Sequence, residues 1–82
     1  MTVFHNSNGR DFEVMATLEF VGADKEYLPE KRYRAMLLHD FNKDEYIVAN
    51  YVEESSWGSG YYADSQADAI RKFNSTVESY LA

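Results

Sequence analysis

The sequence predicts an α+β domain, an antiparallel meander of three or four strands with one C-terminal helix packed on one face. Apolar and polar residues alternate over residues 11–20, which is typical of a half-buried strand. Toward the end of the chain, apolar residues recur every three or four positions, which is typical of an amphipathic helix. Because the chain has 82 residues, we predict a single small domain spanning residues 1–82.

Three segments have the pattern of strands. Residues 11–20 alternate strictly, and residues 32–41 are apolar on both faces, which predicts that the second of these strands is central. Residues 45–53 follow Asn42-Lys43-Asp44, which is typical of a turn, so these two strands should pair antiparallel. Alternation places on one face of the first strand Phe12, Val14, Ala16, Leu18 and Phe20. On one face of the third strand it places Ile47, Ala49 and Tyr51, and on the other Tyr46, Val48, Asn50 and Val52.

The remaining segments before the helix are shorter. Residues 2–5 form a strand if Asn8-Gly9 makes a type I′ hairpin turn, in which both residues have positive φ; the alternative is a frayed terminus. Residues 21–31 contain Gly22, Pro29 and several charges, which predicts a surface loop with Tyr27-Leu28 packed back against the core. Tyr61-Tyr62 adds a short extended piece.

The helix is predicted from about residue 66 almost to the end of the chain. Ser65 has the side chain of an N-cap, and Asp68 follows it at the spacing of a capping box. Asp64 and Asp68 also suit the positive end of the helix dipole. A helix this short needs packing against the sheet to be stable. Its predicted buried stripe consists of Ile70, Phe73, Val77, Tyr80 and Leu81.

The segment Ser56-Trp57-Gly58-Ser59-Gly60-Tyr61-Tyr62 has two interpretations. Trp57 caps one end of the core, with Gly58 and Gly60 supplying positive φ or close approach beside the ring. Alternatively, Trp57, Tyr61 and Tyr62 form an exposed patch that binds a partner, since such residues are common binding hot spots. The seven tyrosines are likewise expected to line the rim of the core, or to form a contact surface on the sheet face that the helix leaves open.

Composition and charge narrow the class of protein. The chain has no cysteine and no long apolar run, so we expect a cytoplasmic protein without a disulfide or membrane segment. Its net charge is −6, and residues 36–70 carry seven acids against Lys43 alone. This block repels phosphates and favours a protein partner with a basic surface, unless it serves only solubility. The predicted partner-binding residues are Asp44, Glu45, Glu53, Glu54, Trp57, Tyr61 and Tyr62.

Enzymatic and metal chemistry have weak signals. His39 and Asp40 are adjacent, and neighbours on a strand point to opposite faces. Asp40-x-Asn42-x-Asp44 begins like a calcium loop, but the sixth and twelfth positions are Glu45 and Tyr51 instead of Gly and Glu. A solvated hairpin turn explains the same residues. We therefore predict no catalytic residue, metal site or cofactor.

Residues 46–73 resemble small uncharacterised proteins of bacterial phages and mobile elements. The resemblance rests on the segment around Trp57, Asp64, Ala69-Ile70 and Phe73, and it implies no known activity. Such elements also encode small acidic inhibitors of host defence, including anti-CRISPR proteins. The function that we predict is a non-enzymatic protein-binding module, and an inhibitor of a host protein acting through an acidic surface is one form of it.

A second resemblance is to double-stranded RNA-binding domains, which place three strands before a C-terminal helix. Gly58-Ser59-Gly60 ahead of the helix carries it, although Asp64 and Asp68 stand where the family has lysines, and the family's first helix is missing. It implies the alternative function, a nucleic-acid-binding module. The basic residues available for that function are Arg32, Arg34, Arg71 and Lys72.

Overall fold

The computed structural model describes residues 2–21 and 32–81, which form one five-stranded antiparallel sheet and one helix. The strands follow one another in chain order across the sheet. They are β1 (Val3–His5), β2 (Asp11–Val21), β3 (Arg32–Asp40), β4 (Glu45–Val52) and β5 (Ser59–Ala63), and the helix is α1 (Gln66–Leu81). The α+β class, the meander and the C-terminal helix are confirmed. The predicted loop over residues 21–31 lies, beyond Val21, outside the described residues.

The prediction of three or four strands is wrong by one strand. The segment expected to be a short extended piece at Tyr61-Tyr62 is a full strand, β5, which pairs with β4 from Tyr46↔Ala63 to Asn50↔Ser59. The Gly58 N–H donates to the Asn50 carbonyl at 3.0 Å and starts this pairing. The connection that carries Trp57 therefore joins two neighbouring strands.

The hairpin between β1 and β2 is confirmed, but its turn is not type I′. Gly9 has φ +91°, whereas Asn8 is absent from the described non-glycine residues with positive φ. The loop instead has five residues, from Asn6 to Arg10, because His5 pairs with Asp11. The Asn6 and Asn8 side chains each accept a hydrogen bond from the backbone N–H two residues ahead, at 3.0 and 3.1 Å. These asparagine-centred turns hold the longer loop.

A β-bulge in β2 overturns the prediction that its five alternating apolar residues share one face. Val14 pairs with Leu38 but Ala16 pairs with Leu37, so Met15 is an extra residue in the ladder. One extra residue sends all later side chains to the opposite face. Consequently Phe12 and Val14 pack in one core, and Ala16, Leu18 and Phe20 pack against the other.

A second bulge does the same to β4. Arg34 pairs with Val52 and Met36 with Ala49, so β4 has one more residue than β3 in this stretch. Tyr51 absorbs the irregularity with φ +56°. The Tyr51 side chain contacts Phe20 and Tyr33 instead of sharing a face with Ile47 and Ala49. Val52 packs with Ile47 and Ala49 in its place. The predicted division of this strand is correct only up to Asn50.

The two faces of the sheet bury separate cores, and β3 contributes to both, as predicted for a central strand. On one face, α1 covers the helix-side core, whose buried members are Ala35, Leu37, Val48, Ala63, Ala69 and Phe73. On the other face lies a second core, whose buried members are Phe4, Phe12, Met36, Leu38, Ile47, Ala49 and Val52. The sheet face opposite the helix is therefore not the open contact surface that we expected for tyrosines.

Trp57 closes the second core. Its ring centroid lies 5.8 Å from that of Phe4 on β1 and 5.6 Å from that of Phe12 on β2. A Cβ atom at Gly60 would lie 3.0 Å from the indole Nε1. The indole thus spans the face from β5 to β1, which favours the core interpretation of this residue. Gly60 is needed for close approach of the ring; neither Gly58 nor Gly60 has positive φ.

The sheet coils strongly around this second core. The Ser7 N–H, in the loop between β1 and β2, donates to the Ser55 carbonyl, in the loop after β4, at 2.9 Å. These loops lie at opposite ends of strands on opposite sides of the sheet, so diagonal corners meet. A flat sheet could not make this contact, because strands are about 4.8 Å apart and twist accumulates across them.

The start of α1 is as predicted, but its buried stripe is shifted. The Ser65 hydroxyl accepts a hydrogen bond from the Asp68 N–H at 3.1 Å, which confirms the N-cap. Ala69 is fully buried and Phe73 nearly so, whereas Ile70 is 40% and Leu81 73% exposed. The prediction was wrong for those last two residues, because the small Ala69 lets the helix approach the sheet along a neighbouring line. Val77 and Tyr80 pack as expected.

Phe73→Ala should lower the free energy of unfolding by ~3–5 kcal/mol, because it removes a large buried side chain between α1 and the sheet. The matched control is Ile70→Ala on the exposed side of the same helix, which should cost less than ~1 kcal/mol. Urea unfolding of the two variants checks both values. Equal costs would contradict the orientation of the helix described here.

Gly60→Ala should cost ~1–3 kcal/mol, because the new Cβ meets the indole that Phe4 and Phe12 hold in place. Its neighbour Ser59, which is exposed, provides the control Ser59→Ala, with an expected change below ~0.5 kcal/mol. Thermal unfolding also tests the cause. In a Trp57→Phe background, the added cost of Gly60→Ala should fall, and an unchanged cost would mean that the ring is not the obstacle.

Candidate functional site

One end of the sheet collects carboxylates from successive strands. Phe12 pairs with Asp40, Asp40 with Glu45, and Tyr46 with Ala63, so β2 starts where β3 ends, β4 starts and β5 ends. The first residue of β2 is Asp11, and the residue after β5 is Asp64. We call this region the acidic end; it comprises Asp11, Asp40, Asp44, Glu45, Asp64 and Asp68.

Asp40 is the buried anchor of the acidic end. Its carboxylate accepts hydrogen bonds from the Arg10 guanidinium and from the backbone N–H groups of Asn42 and Lys43, the last two at 2.8 and 3.3 Å. Arg10 also lies 3.5 Å from Glu45 and 5.0 Å from the centre of the Phe12 ring. One carboxylate thus holds the turn after β3 and joins it to the loop before β2.

The protonation state of Asp40 follows from these contacts. Burial raises the pKa of its carboxyl, but the hydrogen bonds from Arg10, Asn42 and Lys43 and the Arg10 charge outweigh burial and hold the pKa below its ordinary value of 3.8. The same pair raises the pKa of Arg10. Asp40 is therefore an ionised structural group whose oxygens are occupied, which argues against the calcium-loop interpretation of this turn.

The other carboxylates at this end are exposed or partly exposed. The Asp44 side chain is 85% exposed, and its carboxylate lies 2.8 Å from His39 Nε2. The His39 ring in turn stacks against Tyr46. Asp68, in the first turn of α1, accepts a hydrogen bond from the Tyr61 hydroxyl at 2.8 Å, which raises the pKa of Tyr61. Within residues 2–21 and 32–81, the six carboxylates of the acidic end lie near four cations, Arg10, Lys43, Arg71 and Lys72. This end is therefore negative.

The structure brings only some of the predicted partner-binding residues together. Asp44 and Glu45 lie at the acidic end, with Tyr61 and Tyr62 on the neighbouring strand. Tyr61 lies on the helix side, with Lys72 Nζ 5.3 Å from its ring centre, and Tyr62 is more exposed. Trp57 packs in the second core, so it does not form a patch with the two tyrosines.

Glu53 and Glu54 lie at the opposite end of β4. Glu53 lies eight positions after Glu45 along the chain, which is roughly 25 Å for an extended strand. There they line a cleft of about 580 Å³ with Arg32 and Arg34, and the Arg34 guanidinium donates to the Glu53 carbonyl at 2.7 Å. The acidic block of the sequence is therefore divided between the two ends of β4, although the coil of the sheet brings the loop that follows Glu54 against the loop before β2.

The four basic residues of the alternative function are divided as well. Arg32 and Arg34 lie on β3 near the end with the cleft, where Arg32 is 3.4 Å from Glu19. Arg71 and Lys72 lie on α1 beside Asp68 and Tyr61. These positions form two separate pairs, each with a carboxylate or carbonyl partner, instead of one basic stripe.

Sequence reasoning did not name Asp11, Asp40, Asp64 and Asp68 as partner-binding residues, although it counted the last three in the acidic block of residues 36–70. A usable signal was present, because each of the first three flanks a predicted strand or helix, and in an antiparallel meander alternate strand ends meet. Counting charge along the chain ignored that alternation. A count along the chain placed Glu45 and Glu53 in one acidic block, although they lie at opposite ends of the same strand.

Comparisons with known proteins give no relatives: no protein family, curated protein or solved structure matches this chain. Across the described residues, no group of three or more His, Asp or Glu side chains is arranged to hold a metal ion. No helix in the same part of the chain is long and apolar enough to cross a membrane. The acidic end must therefore be interpreted from its own chemistry.

Asp40→Asn should lower the free energy of unfolding at neutral pH by ~2–4 kcal/mol, because it leaves Arg10 without its main partner. The pKa of Asp40 is lower in the folded protein than its ordinary value of 3.8. The ionised carboxylate therefore contributes fully to the free energy of unfolding above pH 3.8, and this contribution is lost as the pH falls through the folded pKa. The cost of Asp40→Asn should therefore shrink in acid. Thermal unfolding measured from neutral pH down into acid checks this decrease, with Asp44→Asn as the exposed control. A cost independent of pH would contradict the assignment.

Proposed function

We propose that this protein is a non-enzymatic protein-binding module, and that its acidic end docks on a basic surface of a partner protein. The observation that carries the proposal is the convergence of six carboxylates, from segments as distant as Asp11 and Asp68, on one end of the sheet. Charge needed only for solubility has no reason to converge, since solubility is served by carboxylates anywhere on the surface.

The acidic end has the two kinds of group that such a surface uses. Exposed carboxylates such as Asp44 and Asp64 act at long range and speed the encounter with a basic partner. The exposed rings of Tyr61 and Tyr62 act at short range and slow dissociation. Beneath them, the Asp40–Arg10 pair fixes the loops, so little ordering is needed on binding.

The resemblance of residues 46–73 to phage and mobile-element proteins extends the proposal to its biological setting. On this proposal, the partner is a protein of the bacterial host, the module inhibits it by covering a basic functional surface, and both act in the cytoplasm. Anti-CRISPR activity is one form that such inhibition takes. The absence of cysteine is compatible with a reducing compartment.

Two double variants with equal charge changes test the proposal. Asp44→Asn with Asp64→Asn neutralises the acidic end, and Glu53→Gln with Glu54→Gln neutralises the opposite end of β4. A partner is first captured from the source cell on the wild-type protein and identified by mass spectrometry. Its association rate should then fall about two- to tenfold for the first variant, with a flatter salt dependence, and stay near the wild-type rate for the second.

Circular dichroism and thermal unfolding confirm that both variants keep the fold. Equal association rates for all three proteins would overturn the role of the acidic end. The alternative function has its own measurement. Binding of wild-type protein to duplex RNA or DNA that weakens steeply as salt rises would replace the protein-binding proposal with a nucleic-acid-binding one.

A further inference from the structure

The outer edge of β2 is longer than the strand that covers it. β1 pairs with β2 at Glu13, Phe12 and Asp11, and the Thr2 carbonyl accepts from the Val14 N–H at 2.9 Å. Within residues 2–21 and 32–81, no strand pairs with this edge beyond Val14. Residues 15–21 therefore present one edge of an otherwise well-paired strand, which we call the free β2 edge.

The bulge determines which backbone groups face outward there. Before the bulge, Val14 points its N–H toward β1, so the even-numbered residues face outward. Met15 is the extra residue, and it reverses this alternation. Beyond it, the N–H and carbonyl groups of Thr17, Glu19 and Val21 face outward and need hydrogen-bond partners. Such an edge is a template for strand addition.

We propose that the free β2 edge pairs antiparallel with the same edge of a second copy of this chain, around a two-fold axis at Leu18. In this register, Thr17 pairs with Glu19 of the second copy, and both have outward-facing backbone groups. Leu18 faces Leu18 of the second copy in a non-hydrogen-bonded pair. The ladder is therefore consistent with the hydrogen-bonding pattern of both strands.

The side chains are self-complementary in the same register. On the helix side, Ala16 lies opposite Phe20 of the second copy, so a small side chain meets a large one beside the central Leu18 pair. These residues are only half-buried in one chain. On the other side, Val21, which is 59% exposed, pairs at the position of the bulge of the second copy. Glu19 lies opposite Thr17, so no like charges are directly opposite each other.

The composition of the edge supports a second copy as its occupant. Edge strands that avoid pairing commonly carry lysine or proline, and β2 has neither. Two-fold pairing closes the edge completely with one partner, and moving the axis from Leu18 to Glu19 would place the two Glu19 side chains directly opposite each other. The inference is independent of the acidic end, since the free edge begins beyond the bulge.

Single cysteines test the register directly, because the natural chain has none. In the proposed dimer, the two Leu18 Cα atoms are about 4.5 Å apart, within disulfide range, whereas the two Ala16 Cα atoms are offset by four residues, roughly 13 Å. Under mild oxidation, Leu18→Cys should form a covalent dimer, and Ala16→Cys and the helix-surface control Ser75→Cys should not. Equal crosslinking of all three, or none at Leu18→Cys, overturns the proposal.

Substitutions at the exposed Thr17 provide a second measurement that leaves the core intact. Thr17→Lys should tighten dimerisation about two- to tenfold, because each lysine faces Glu19 of the second copy, and Thr17→Glu should weaken it similarly. Sedimentation equilibrium at several concentrations measures both, with Ser75→Lys and Ser75→Glu as charge-matched controls. A wild-type chain that stays monomeric throughout, or equal shifts at both positions, overturns the proposal, even if a peptide from another protein binds this edge.

Discussion

A sheet with a single helix has two apolar faces to bury, and Trp57 is the side chain that closes the second one. Its indole spans from Gly60 to the rings of Phe4 and Phe12. Covering that face excludes water from a second core without a second layer of secondary structure. Three features allow this packing. The sheet coils, Ser7 contacts Ser55, and Gly60 has no side chain that would meet the indole.

The two bulges make a two-sided core possible in so short a chain. Each adds one residue to a strand and reverses which face the later side chains occupy. β2 therefore supplies Phe12 to the core beneath Trp57 and Phe20 to the core beneath the helix. A strand without the bulge would have placed both residues on one face and left the other short of apolar surface.

The same architecture separates the surfaces used by the two proposals. Antiparallel order gathers strand ends, so charge from distant segments accumulates where Asp40 and Arg10 tie the loops together. The bulge at Met15 leaves a free edge farther along β2, away from those loops. A dimer formed through the free edge keeps two acidic ends available for partners, and either surface can be altered without the other.

The sequence by itself determined the elements that rest on local rules: the existence of strands β2 and β3, the turn at residues 42–44, and the cap at Ser65. Each depends on neighbouring residues alone. Only the tertiary structure decided what depends on a partner strand. The bulges arise from register between strands, Ile70 is exposed because the helix settles on Ala69, and Glu53 is remote from Glu45 because a strand separates them. Charge counted along a chain carries no information about these distances, since an extended strand separates sequence neighbours and antiparallel pairing joins distant residues.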